Sequence, residues 1–174
     1  IQTVANSFHA SIWEAANRAE RITPDLETYL AYRPYTGGVY TFIETIEVTE
    51  RLGLPFEVYD DPYLQEMVRC AVNVVCWSND IVSLAKELKE GDVHNLVLVL
   101  QQHHHMTIQE AIQHAATMHD EEVNKFIALE AAMPDFGVYE SKVRHYLMVQ
   151  KAWMKGNLDW SYMSGRYLLA QLTA

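Results

Sequence analysis

A helical pattern that runs unbroken from Pro62 to about Glu90 is the feature that most constrains the fold of this 174-residue chain. Asp61 before Pro62 fits an N-cap residue followed by proline at the first helical position, and Gly91 fits a C-terminal stop. Since the stretch between them is strongly apolar, we expect this helix to lie at the centre of its domain. The apolar positions are Met67, Val68, Ala71, Val72, Val74, Val75 and Trp77.

Helix signals also dominate the rest of the chain, whereas the alternating pattern of strands is scarce. Thr23-Pro24-Asp25 predicts the start of a short helix that Pro34 ends, and Gly37-Gly38 predicts a backbone break before the next helix. That next helix is expected at 39–52. A capping box at Thr107 to Glu110 predicts another start. Further helices are expected at 95–105, 107–132, 139–155 and 158–172, and the last two are separated at 156–157. The whole pattern predicts an all-α helical bundle in one domain.

Composition and charge exclude several classes of protein. Forty-nine per cent apolar residues rule out disorder as the main state, and a net charge of −10 without a basic run argues against binding to nucleic acid or an anionic membrane. Cys70 and Cys76 project about 240° apart around one predicted helix, so they cannot bridge each other. With no secretory signal and no apolar run long enough to span a bilayer, we expect a cytoplasmic protein with no stable membrane insertion.

Three oxygen-bearing side chains recur every four residues inside the central helix. Asn79, Ser83 and Glu87 stay on one face, because four residues advance about 400° and drift by only about 40° per step. An amide, a hydroxyl and a carboxylate are hard donors, which suit Mg²⁺, with Mn²⁺ as the alternative. One carboxylate holds such an ion weakly, so a phosphorylated ligand is expected to complete the site, with Lys86 nearby to meet it. Asp80 points about 100° away and is expected to be a supporting or structural acid.

At these residues the chain resembles the class I terpene synthases, whose second metal motif is N-D-x-x-S-x-x-x-E, often with Lys before Glu. Two further segments are similar to that family. Arg33-Pro34-Tyr35-Thr36-Gly37 resembles the bacterial effector segment, although the linker position there is often Asp and is Thr36 here. Trp160 followed by Arg166-Tyr167 resembles the terminal Arg-Tyr pair. The resemblance runs from about Arg33 to Tyr167.

The resemblance implies a fold, an activity and roles for particular residues. The fold would be the all-α class I terpenoid bundle, and the activity would be metal-dependent cyclisation of an isoprenyl diphosphate, with farnesyl diphosphate as first choice. Gly37 and Thr36 would belong to the effector, whose Gly carbonyl acts on the substrate. The other roles implied are metal binding by Asn79, Ser83 and Glu87, diphosphate binding by Arg33, Lys86, Arg166 and Tyr167, and pocket walls from Val72, Cys76 and Trp160.

One landmark of the family has no counterpart in the sequence. An aspartate-rich metal motif is expected well upstream of the effector segment, and the only similar pair, Asp60-Asp61, follows it and fits a helix cap. We therefore expect residues 1–174 to be the C-terminal half of a single cyclase domain. The alternative is a noncatalytic helical half-module that needs a partner half carrying the aspartate-rich motif. A homodimer is left open.

Simpler interpretations compete for several of these residues. Arg33 and Arg166 could be ordinary surface charges or salt-bridge partners, and Trp160 could equally be a packing residue. His103, His104 and His105 fan out by about 100° each and cannot converge on one ion, so they indicate an exposed helix end. No nucleophilic triad or phosphate-cradling glycine loop is recognisable.

Overall fold

The computed structural model describes residues 2–167, and within that range the chain is helical and contains no strand. A short 3-10 helix, Gly137–Tyr139, precedes the last α helix. The α helices are α1 (Gln2–Glu20), α2 (Leu26–Thr36), α3 (Val39–Thr49), α4 (Phe56–Tyr59), α5 (Pro62–Glu90), α6 (Leu96–His103), α7 (Ile108–Ala131) and α8 (Glu140–Met163).

Helix α5 has the bounds that the sequence predicts and lies at the centre of the bundle. The Asp61 carboxylate accepts a hydrogen bond of 2.8 Å from the Tyr63 amide, and Gly91 ends the helix with a φ of 71°. Fourteen of its residues are buried, and α2, α3, α6, α7 and α8 all pack against it. A helix covered on so many sides can bury polar groups at low cost only where they have partners. The polar stripe of Asn79, Ser83 and Glu87 therefore indicates a binding site.

The break between α2 and α3 is confirmed, but its details differ from the prediction. Asp25, not Thr23, caps α2 through a 2.8 Å hydrogen bond from the Thr28 amide. Pro34 does not end the helix, because a proline so near the C-terminus removes a single ladder hydrogen bond and the last turn continues to Thr36. Gly38, with a φ of 67°, then starts α3.

The prediction of a break at Gly156 was wrong, since α8 continues through it from Glu140 to Met163. A glycine inside a helix costs about 1 kcal/mol, which the buried stripe of Val143, Tyr146 and Leu147 on the same helix can offset. The end of the helix expected at 158–172 lies outside the described residues. The sequence patterns also missed α1 and the four-residue α4.

Ion pairs join the first half of the central helix to α7. Arg69 bonds Glu66 on its own helix at 2.7 Å and Glu122 of α7 at 3.0 Å, and Lys125 also pairs with Glu66. These contacts hold the pKa of Glu66 down at about 2. Across residues 2–167, each helix is too short or too polar to serve as a membrane span.

Candidate active site

A cavity of about 370 Å³ brings the three segments singled out in the sequence together. It lies between the α2–α3 break, one face of α5, and α8 with the turn that follows it. Its walls combine cationic, amide and aromatic groups, as expected for a site that takes a ligand with a charged head and an apolar tail. The lining residues are Arg33, Gly37, Val39, Phe42, Val75, Cys76, Asn79, Trp153, Asn157, Trp160, Arg166 and Tyr167.

Asn79 connects all three segments through its side-chain amide. Its Oδ1 accepts a 3.0 Å hydrogen bond from Arg33 Nη2 of α2. Its Nδ2 donates a 2.9 Å hydrogen bond to the Tyr167 hydroxyl, beyond the end of α8. The first residue of the predicted metal motif is therefore in direct contact with both of the other predicted landmarks.

Ser83 and Glu87 follow one and two turns further along the same face of α5. Ser83 is 1% exposed, and its Oγ makes no hydrogen bond of ordinary geometry. Burial raises the pKa of Glu87, and the Asn95 amide and the Ser83 hydroxyl partly offset that effect. A buried hydroxyl that makes no hydrogen bond of ordinary geometry, beside a half-buried carboxylate, is unfavourable unless a cation or water completes the arrangement.

These donors fit a hard divalent cation better than any other metal. Their chemistry is amide, hydroxyl and carboxylate oxygen, and among the described residues the Ser83 Oγ makes no hydrogen bond of ordinary geometry that would compete with a metal ion. Among residues 2–167 no three His, Cys, Asp or Glu side chains lie close enough to form a metal site of their own. His103, His104 and His105 are exposed at the end of α6.

Asp80, the neighbour of Asn79, holds Arg33 in place from inside the core. The Asp80 carboxylate is fully buried and accepts bonds of 2.8 and 2.7 Å from Nε and Nη2 of Arg33. It also accepts bonds from the Tyr29 hydroxyl at 2.6 Å and from the Leu96 amide at 3.1 Å. Burial opposes the charge of Arg33, yet Asp80 keeps the pKa of its guanidinium well above the ordinary value. The structural role expected for Asp80 is therefore tied directly to Arg33.

Gly37 provides the space that the Arg33 side chain occupies. Its φ of −75° suits any residue, but a Cβ at this position would lie 2.6 Å from Arg33 Nη1 and 3.2 Å from Val39 Cγ2. Thr36, at the linker position, donates its hydroxyl to the Arg33 carbonyl at 3.2 Å instead of reaching the guanidinium. No donor among the described residues bonds the Gly37 carbonyl oxygen.

Replacing Gly37 by alanine is expected to displace Arg33 and lower the free energy of unfolding by about 1–2 kcal/mol, because moving the guanidinium away from the new Cβ strains its bonds to Asp80 and Asn79. Gly156→Ala is the matched control, since nothing lies within 4 Å of a Cβ there. Alanine in that exposed helical position is expected to stabilise the chain by about 0.5–1 kcal/mol. Urea denaturation followed by circular dichroism measures both changes, and equal stabilities for the two variants would contradict the close packing at Gly37.

The C-terminal pair lies at the mouth of the cavity. Tyr167 is 4% exposed and anchored to Asn79, whereas Arg166 is exposed. The Arg166 guanidinium lies 5.9 Å from the ring centroid of Trp160 and 5.6 Å from that of Tyr167. These cation–π contacts orient a charge at the entrance while leaving its hydrogen-bond donors available.

Four of the predicted site residues do not line the cavity, and two of these are Ser83 and Glu87, which continue the Asn79 face of α5 beyond it. Val72 is fully buried in the core and does not line it, so the expectation that it forms a pocket wall is not met. Lys86 pairs with Glu90 at 2.7 Å on the outer side of α5. Cys76 does line the cavity, and burial raises the pKa of its thiol to about 12, so it is a neutral wall residue.

Three further lining residues lie at helical spacing in the sequence, a signal that the motifs above do not include. Trp153, Asn157 and Trp160 share one face of a helix, because they are spaced by four and three residues. The predicted break at Gly156 would have divided this face. Phe42, which is 61% exposed, forms part of the same wall and lies 6.4 Å from the Trp153 ring.

Solved structures place this bundle in the class I terpenoid fold. The chain superposes on linalool/nerolidol synthase from Streptomyces clavuligerus with a TM-score of 0.85, covering 92% of this chain and 57% of that one. An α-eudesmol synthase gives a TM-score of 0.78 over 92% of this chain and 54% of that one. The sequence identities are 21% and 22%, so these likenesses concern the fold alone.

Sequence comparisons give the family. Residues 1–125 match the family described as terpene synthase family 2, C-terminal metal binding, and the chain belongs to it. It is 37% identical over 161 residues to a (+)-T-muurolol synthase, (2E,6E)-farnesyl diphosphate cyclizing, of Roseiflexus castenholzii, covering 92% of this chain and 49% of that protein. It is 33% identical over 168 residues to a germacrene A synthase of Nostoc punctiforme, covering 96% and 52%. The chain thus spans about half the length of the curated relatives it matches.

Proposed function

We propose that this chain forms the metal-binding half of a cyclase that ionises an isoprenyl diphosphate, with farnesyl diphosphate as the substrate, and guides the resulting allylic cation to a cyclic terpene. The observation that carries the proposal is the contact of Asn79 with both Arg33 and Tyr167 at one cavity. The name of the Roseiflexus relative, which specifies farnesyl diphosphate, supports the choice of substrate.

The chain's cations would receive the diphosphate at the mouth of the cavity. Arg166 is exposed there and held over two aromatic rings, so its donors are free to meet phosphate oxygens. Arg33 presents its guanidinium from the opposite wall, although Asp80 and Asn79 already use Nε and Nη2. In a chain with a net charge of −10, these positions concentrate positive charge where the leaving group would develop its own charge.

Asn79, Ser83 and Glu87 would hold Mg²⁺, or Mn²⁺ in its place, through their oxygens. When bound, such an ion neutralises charge on the departing diphosphate. Asn79 would present its Oδ1 from the cavity wall, and Ser83 would present a hydroxyl that makes no hydrogen bond of ordinary geometry within residues 2–167. Glu87 would supply the single carboxylate of this set.

The remaining walls would enclose the hydrocarbon and keep water out. Trp153, Trp160 and Phe42 offer aromatic faces, which attract a cation without bonding to it. Cys76 stays a neutral thiol near neutral pH and so would not trap the cation as a thiolate nucleophile. Exclusion of water matters because an allylic cation is quenched as soon as a water molecule reaches it.

A second candidate function is a half-module that acts only with a further helical segment, and one surface feature favours it. Val4, Phe8 and Ile12 form an apolar stripe on α1 and are 43%, 68% and 69% exposed. Contiguous exposed apolar residues at helical spacing indicate a contact surface. We propose that sequence outside these 174 residues, carrying the aspartate-rich motif, covers that stripe and completes the site.

Two incubations test the proposal. The 174-residue chain alone, given farnesyl diphosphate and Mg²⁺, is expected to form little or no cyclic product, because only one metal motif is present. A chimera that joins the N-terminal half of the Roseiflexus relative to this chain is expected to form cyclic sesquiterpenes, detected by gas chromatography, and to lose them with Glu87→Gln. A folded chimera that binds metal and still gives only unreacted substrate would overturn the assignment.

A further inference from the structure

Asn95 is a fully buried polar residue between α5 and α6 whose three hydrogen-bonding groups are all in use. Its Oδ1 caps α6 by accepting a 2.8 Å bond from the Val97 amide. Its Nδ2 donates at 2.7 Å to the Asp80 carbonyl oxygen and at 2.7 Å to Glu87 Oε2. One amide group thereby connects a helix cap, the central helix and the only carboxylate of the metal-binding stripe.

We propose that Asn95 is the positioning residue that orients Glu87 for divalent metal binding. This inference rests on the proposed metal-binding function of Asn79, Ser83 and Glu87. Asn95 acts through Glu87, because its amide bonds that carboxylate directly and its other side-chain bonds go to the backbone at Asp80 and Val97.

The geometry explains why Glu87 needs such a partner. Glu87 lies near the C-terminal end of a 29-residue helix, and a glutamate there has three rotatable side-chain bonds with solvent close by. The hydrogen bond from Asn95 takes up one carboxylate oxygen, Oε2, and leaves Oε1 for a ligand. Asn95 is rigid in turn, because the cap and the Asp80 carbonyl fix its amide plane.

Asn95 also connects Glu87 to Asp80, the residue that holds Arg33. Asp80 accepts the Asn95 amide through its backbone carbonyl and the Leu96 amide through its carboxylate. The same carboxylate holds Arg33 at 2.7 Å. Asn95 and Leu96 therefore fix the start of α6 against the part of α5 that carries Asp80 and the metal-binding stripe.

Mn²⁺ titration of the 174-residue chain, with free Mn²⁺ read by electron paramagnetic resonance, tests the proposal. Asn95→Ser keeps an N-cap oxygen but loses both amide donors, and Asn95→Ala loses the cap as well. Both variants are expected to weaken Mn²⁺ binding by about 10- to 100-fold, whereas only Asn95→Ala loses the cap's stability. Affinity that falls in step with stability across the two variants would overturn the positioning role.

A double-variant cycle and a metal-free signal complete the test. In a Glu87→Gln background, Asn95→Ser is expected to cause no further loss of Mn²⁺ affinity, and independent losses would contradict action through Glu87. Without metal, Glu87→Gln is expected to shift the Asn95 side-chain NH₂ signals in a ¹⁵N spectrum, and Glu90→Gln is expected to leave them in place. Wild-type chain without a saturable Mn²⁺ site would overturn the proposed function as well, whereas normal wild-type binding with unchanged Asn95 variants would overturn this inference alone.

Discussion

Asp80→Ala is expected to lower the free energy of unfolding by about 3–5 kcal/mol, the loss seen when one partner of a buried ion pair is removed. The substitution leaves the Arg33 side chain, which is only 12% exposed, without its counter-charge. It also leaves the buried Tyr29 hydroxyl and the Leu96 amide without an acceptor. Urea denaturation measures the loss, and Asp120→Ala, an exposed aspartate on α7, is the control that is expected to change stability by less than about 0.5 kcal/mol.

A double-mutant cycle separates the ion pair from the other contacts of Asp80. Asp80→Asn keeps an oxygen acceptor, so this variant is expected to retain more stability than the alanine variant. Combined with Arg33→Gln, it is expected to cost less than the sum of the two single changes, with a coupling of about 1–3 kcal/mol. Additive losses would show that Arg33 and Asp80 stabilise the chain independently, in conflict with the 2.7 Å contact.

Glu87→Gln is expected to weaken divalent metal binding by more than about 100-fold, since the loss of a ligand exceeds the 10- to 100-fold loss caused by its outer partners. Glutamine keeps the size and the acceptor for the Asn95 amide but removes the only carboxylate of the stripe. Glu90→Gln makes the same change of charge one turn further along α5, at an exposed residue, and is expected to leave metal affinity unchanged. Equal affinity in all three chains would contradict the assignment of Glu87.

Without metal, Glu87→Gln is also expected to be more stable than the wild type at neutral pH. Burial raises the pKa of Glu87 above its ordinary value of 4.5, which means that the folded chain holds the proton more tightly than the unfolded chain. The resulting stability is fully present below the ordinary pKa and is lost as the pH rises through the raised one. Melting curves at pH 7 and pH 4 are expected to show a gain for Glu87→Gln at pH 7 that shrinks at pH 4.

The central helix and the identity of the metal-binding face could be predicted because both follow from local spacing. Asp61, Pro62 and Gly91 set the bounds of α5, and a four-residue repeat puts Asn79, Ser83 and Glu87 on one side whatever surrounds them. The meeting of Arg33 and Tyr167 at Asn79 was implied by a family resemblance and could not follow from periodicity, because those residues are 46 and 88 positions from Asn79.

The sequence patterns wrongly predicted helix ends at Pro34 and Gly156, for a physical reason that local patterns cannot reveal. Pro34 and Gly156 weaken a helix by a fixed local amount, and whether the helix ends there depends on packing elsewhere. Tertiary contacts also decide which charges serve the site. Lys86 turns to Glu90, while Asp80 turns inward to Arg33, and Asn95 reaches Glu87 from the next helix.

Paramagnetic broadening by Mn²⁺ in a ¹⁵N-labelled chain tests whether the Asn79 face of α5 binds a divalent metal, because it locates the ion as well as detecting it. We expect amide signals around Asn79, Ser83 and Glu87 to lose intensity first, excess Mg²⁺ to restore them, and Glu87→Gln to abolish the effect. Broadening centred instead on the exposed His103, His104 and His105, or spread evenly over the acidic surface, would contradict a metal site on this face of α5.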